Sequence, residues 1–86
     1  MTHRQLTIVK ALLTALNDLE GGQMTEPLLH AEISLRVNPT ATLAEFNDAV
    51  ALSDSSGWLI GVQGKFGRGR LWSLSDAGQA ARLEMR

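Results

Sequence analysis

Cysteine and tyrosine are absent from this 86-residue sequence, proline occurs only twice, and tryptophan and phenylalanine supply two residues each. Without cysteine there is no disulfide and no thiolate metal ligand, which excludes a small secreted scaffold held by cross-links. No apolar run approaches the roughly 20 residues of a membrane-spanning helix. The opening Met-Thr-His-Arg-Gln is followed by polar-interleaved sequence instead of a signal peptide's unbroken apolar stretch, so a cytoplasmic location is expected. An excess of one charge is missing too. Lys and Arg number 8 against 9 Asp and Glu, for a formal net charge of −1, which excludes a uniformly basic nucleic-acid-coating protein. What the chain has in quantity is aliphatic side chains: 44% of residues are hydrophobic, too many for a disordered segment. The length predicts a single domain over 1–86, which must draw its core from aliphatic helix faces or find a partner.

Along the chain, Leu6, Val9, Leu13 and Leu16 form one stripe at helical spacing with Leu12 and Leu19 beside it, predicting a helix over about 3–20. Thr2 and Gln5 can cap its start, and Gly21-Gly22 stops it. Thr25-Glu26-Pro27 opens a second helix, about 26–36, with Leu29, Ile33 and Val37 inward, Leu28 alongside, and Asn38-Pro39 at its end. Thr42-Leu43-Ala44-Glu45 is a capping-box pattern that opens a third helix, about 42–55. Leu43, Phe46, Ala49, Val50 and Ser53 form its predicted buried stripe, and Ser55-Ser56-Gly57 closes it. The short connection makes the second and third helices a helix-turn-helix pair. From Trp58 the period changes to two. Strands are predicted over about 58–63 and 70–75, forming a hairpin whose tip, Gly64-Lys65-Phe66-Gly67-Arg68-Gly69-Arg70, is glycine-rich and basic. Trp58 and Trp72 are expected to face each other across it as a core pair. Ser75-Asp76 caps a last helix, about 76–85, whose apolar contacts come from Ala77, Ala80, Ala81 and Leu83.

The order α-α-α-β-β-α, mainly helical with a small hairpin, resembles a winged helix-turn-helix domain. Two phrases carry the resemblance: Gly57-Trp58-Leu59-Ile60-Gly61-Val62, and Leu74-Ser75-Asp76-Ala77-Gly78 at the end of the second strand. Both are similar to segments of small transcriptional regulators of the multiple-antibiotic-resistance and phenolic-acid-regulator kinds. The resemblance implies a DNA-binding protein whose third helix enters the major groove and whose hairpin, the wing, touches the backbone or the minor groove.

The charges divide on this point. Lys65, Arg68 and Arg70, with Phe66 among them, suit phosphate contact or insertion into a narrow minor groove. The third helix instead holds Glu45, Asp48 and Asp54, with no Lys or Arg between Arg36 and Lys65. A carboxylate facing phosphate is repelled. Thr40, Thr42 and Asn47 remain as neutral DNA contacts. Duplex DNA is therefore the predicted partner. The alternative is a winged-helix protein-interaction module that uses the acidic third helix or the aliphatic first helix. Ile8, Leu12 and Leu19 add to the first helix's stripe, more than a lone small domain is expected to bury. A homodimer through that helix and the last one is expected. His3 and His30 are too far apart in sequence to suggest a metal site, no cofactor motif appears, and no nucleophile elbow, phosphate loop or paired-acid motif points to an enzyme.

Overall fold

The computed structural model describes residues 2–18, 23–63 and 69–85. Its elements run α1 (His3–Asp18), β1 (Met24–Thr25), α2 (Glu26–Arg36), α3 (Leu43–Ser55), β2 (Leu59–Gln63), β3 (Arg70–Leu74) and α4 (Asp76–Glu84). The chain is thus mainly helical with a small antiparallel sheet, and the predicted helices and strands each appear within a residue or two among the described residues. Gly21-Gly22, the predicted stop of the first helix, lies outside them.

Local chemistry explains the helix boundaries. Thr2 and Gln5 form the expected capping box, with Thr2 N–H donating to Gln5 Oε1 at 2.8 Å and Gln5 N–H to Thr2 Oγ1 at 3.1 Å. At α3, Glu45 N–H donates to Thr42 Oγ1 at 3.1 Å while Thr42 N–H donates to Glu45 Oε1 at 3.0 Å. Its far end closes in a Schellman motif: Trp58 N–H reaches the Ser53 carbonyl at 2.9 Å and Gly57 N–H the Asp54 carbonyl at 3.0 Å. Gly57 stands there at φ +79°, a conformation that glycine adopts without steric cost. Gly78 N–H donates to Ser75 Oγ at 3.0 Å and caps α4.

One strand was not foreseen. Met24 and Thr25 pair with Trp72 and Leu71, making a sheet of order β1-β3-β2 that ties the hairpin to the α1–α2 connection. Two residues are too few for an alternating pattern to be read.

α1 packs against α2, α3, α4 and β3 and is the central helix. That corrects the expectation of surplus aliphatics. Ile8, Val9, Leu12, Leu13, Ala15 and Leu16 are all buried within one copy because neighbours cover α1 on several sides, and Leu6 alone of its described large aliphatics is exposed. The reason given for a dimer through α1 therefore falls away.

Other placements also differ from expectation: of the apolar contacts expected on α4 only Ala81 is buried, while Ala77, Ala80 and Leu83 are exposed. Leu43 is 61% exposed instead of buried, since it lies in the first turn of α3 beyond the cover of α1. Leu28 is likewise exposed on α2. Trp58 and Trp72 are not partners: the register sets Gly61 opposite Trp72 and Leu59 opposite Leu74. Trp72 is buried with its ring over Gly61, where a Cβ would stand 2.8 Å from ring atom Cζ3. Its indole N–H donates to Glu26 Oε1 at 3.1 Å, fastening the sheet to the start of α2. On β2 only Leu59 is buried; Gly61 lies on the same side, under the Trp72 ring, so Ile60 and Val62 face out.

Candidate nucleic-acid interface

The predicted contacts sit on two parts of the fold. Thr40, Thr42 and Asn47 belong to the α2–α3 connection and the first half of α3, and all three are exposed. Arg70 opens β3 opposite Gln63 and is exposed. Its guanidinium carbon lies 5.7 Å from the Trp72 ring centroid, a cation–π contact that steadies the side chain where β3 leaves the loop. Lys65, Phe66 and Arg68 lie outside the described residues.

The α3 surface is built from its capping geometry outward. Ala44, Asp48, Ala51 and Ser55 recur at helical spacing as an exposed stripe, with Leu43, Asn47 and Asp54 also exposed along the helix. Small side chains let another surface approach the α3 backbone, and Asn47 offers an amide that can pair with a base edge. Thr42 Oγ1 already accepts from the Glu45 amide, so its hydroxyl proton is what it has left to donate.

Glu45 reads differently in three dimensions. Arg4, reaching from the first turn of α1, donates from Nε to Glu45 Oε2 at 2.8 Å and from Nη2 to Glu45 Oε1 at 3.2 Å. The same Nη2 donates to the Pro39 carbonyl at 2.7 Å and the Thr40 carbonyl at 3.3 Å. One guanidinium thus fastens the α2–α3 connection, cis at Asn38-Pro39, to the cap of α3. The Arg4 hydrogen bond, followed by the Thr42 backbone N–H, holds the Glu45 carboxyl down at about 2, and Arg4 is raised in return. The charge counted against α3 at this position is therefore paired. Arg4 and Glu45 stand 41 residues apart, a spacing that leaves no local signal in the sequence.

The connection has a second fastening. His30 Nε2 stands 2.9 Å from the Ala41 carbonyl oxygen, and since that oxygen only accepts, Nε2 carries the proton. The ring also packs on Phe46 with centroids 5.0 Å apart. Beside it opens a cleft of about 250 Å³ lined by Glu26, Pro27, His30, Leu43 and Phe46. Between α1 and α4 lies a groove lined by Lys10, Thr14, Arg82, Leu83 and Met85.

Among the described residues no group of His, Asp or Glu side chains is arranged to hold a metal ion, and no helix is long and apolar enough to cross a membrane. Comparison with protein-family models, with curated proteins and with solved structures gives no match to this chain.

Proposed function

We propose that this chain is a winged helix-turn-helix protein that binds duplex DNA, holding the phosphate backbone with its hairpin and applying α3 to the groove, as a small cytoplasmic transcriptional regulator does. The observation that carries this reading is the sheet order β1-β3-β2. It makes the hairpin an extension of the same helical body that presents α3, which is what simultaneous contact with groove and backbone needs. Lys65, Arg68 and Arg70 supply phosphate contacts, with Phe66 among them. Thr40 and Thr42 offer hydroxyls and Asn47 an amide at the groove. Pairing of Glu45 with Arg4 lowers the electrostatic objection to bringing α3 near phosphate.

Fluorescence anisotropy of a labelled duplex over a salt series tests the proposal. With three wing cations on phosphates, log K falls with log salt at a slope of about −3, and Arg68→Ala or Arg70→Ala flattens it by about one. Binding that ignores salt, or wing variants that bind like the parent, would remove the DNA reading.

A second reading has its own support. The exposed α3 stripe contains no cation, and Leu28, Leu35 and Leu43 are 63, 85 and 61% exposed. Such a surface suits a protein partner, with the fold kept and DNA readout lost.

A further inference from the structure

We propose that the free edge of β2 is a self-association surface, on which a second copy of this chain pairs antiparallel across a two-fold axis at Gly61. Two three-stranded sheets then join into one of six strands. This stands independently of DNA binding.

The backbone sets the register. β2 is an edge strand, bonded to β3 on one side only. Ser75 N–H donates to the Trp58 carbonyl at 3.0 Å, so that carbonyl points at the β3 side, while the Trp58 N–H is spent on the Ser53 carbonyl. By the alternation of antiparallel ladders Ile60 and Val62 also point their backbone groups at the β3 side, and Leu59, Gly61 and Gln63 turn their N–H and C=O groups outward. A two-fold axis at Gly61 sets Gly61 opposite itself and Leu59 opposite Gln63 of the second copy. All the outward-facing groups of the strand then exchange hydrogen bonds in step. The same register brings Ile60 opposite Val62 of the second copy, twice, in the closer non-hydrogen-bonded positions. These side chains are 49 and 44% exposed, and they share the outer sheet face with half-buried Leu71. One pairing closes the ladder and packs Ile60 against Val62 across the junction.

Charge selects this edge over the other exposed apolar surfaces. No charged residue lies between Asp54 and Lys65, so the two-fold brings no like charges together along β2. Self-pairing of the α1–α4 groove would set Lys10 and Arg82 against their own copies. On α2, Leu35 is flanked by the Arg36–Glu32 ion pair, which a dimer would have to desolvate. β2 also lacks the usual guards of an exposed edge, since Leu-Ile-Gly-Val-Gln has neither lysine nor proline.

Sedimentation of the full chain from micromolar to several hundred micromolar concentration, with amide hydrogen exchange at both ends, tests the proposal. The expected result is a shift from the 9.3 kDa monomer to twice that mass, with slowed exchange at Leu59, Gly61 and Gln63 at the higher concentration. Val62→Lys on the outer face and Gln63→Pro, which removes an outward N–H and spares the β3 ladder, should each abolish the dimer while circular dichroism stays that of the parent. Should either variant unfold, Ile60→Lys provides the same reading from the neighbouring exposed position. A monomer throughout overturns the proposal. So does a dimer that persists in the folded variants with exchange at 59, 61 and 63 unchanged.

Discussion

Gly78 shows how a single residue holds two elements together. A Cβ at that position would run into the Trp58 carbonyl oxygen and the Leu74 side chain, so the first turn of α4 lies directly on the chain entering β2. Gly78→Ala should destabilise the fold by about 1–3 kcal/mol, measured by urea titration, because a carbonyl oxygen of the backbone cannot step aside as a flexible side chain can. Ser53 gives the opposite expectation. Its hydroxyl is fully buried on α3 with no hydrogen-bond partner among the described residues. Ser53→Ala removes a desolvated polar atom, and the same titration should find it neutral or more stable by up to about 1 kcal/mol. Glu45 carries the pH dependence. Its folded carboxyl titrates at about 2 against an ordinary 4.5, so its contribution is complete above about 4.5 and lost as the pH falls toward 2. Glu45→Gln should melt below the parent at neutral pH, and the gap between them should close in that acid window.

Among the elements, the helices were legible where capping chemistry and a helical period coincide. Thr42 with Glu45 announced α3, and Glu26-Pro27 announced α2. Legibility stopped where the outcome depends on which neighbour covers a face. The sequence puts Leu43 and Phe46 on one stripe, yet only Phe46 is buried. Alternation along β2 sets Ile60 and Val62 against Leu59 and Gly61 without saying which side is inward, and the Trp72 ring over Gly61 decides it. β1 left no trace because its two residues gain their structure entirely from Trp72 and Leu71 across the sheet. Of the candidate interface, the positions of Thr42, Asn47 and Arg70 were readable, whereas the Arg4 clamp was not. α1 carries the largest energetic stake, since several of its residues are fully buried at the centre. Leu12→Ala should cost about 2–5 kcal/mol, read as a lower urea midpoint, with little freedom for neighbours on several sides to collapse into the gap.

At the scale of the molecule, a single hydrophobic cluster runs from Ile8 on α1 through Leu29, Ile33, Phe46 and Leu59 to Trp72 and Ala81. Helices and sheet share it. Unfolding should therefore be one cooperative event, and melting curves from far-ultraviolet circular dichroism and tryptophan fluorescence should superimpose. Separated curves would mean that the hairpin opens on its own. The strand order bears on how such opening would be seen. With no tyrosine in the chain, intrinsic emission comes from Trp58 and Trp72 alone. Trp72 is buried, with its indole tied to Glu26, and Trp58 is partly open to solvent. Release of the hairpin from the α1–α2 connection would expose the Trp72 indole to water and shift its emission to the red. The fold thus contains its own optical gauge of whether the hairpin is attached, usable in a stopped-flow cell with no label added.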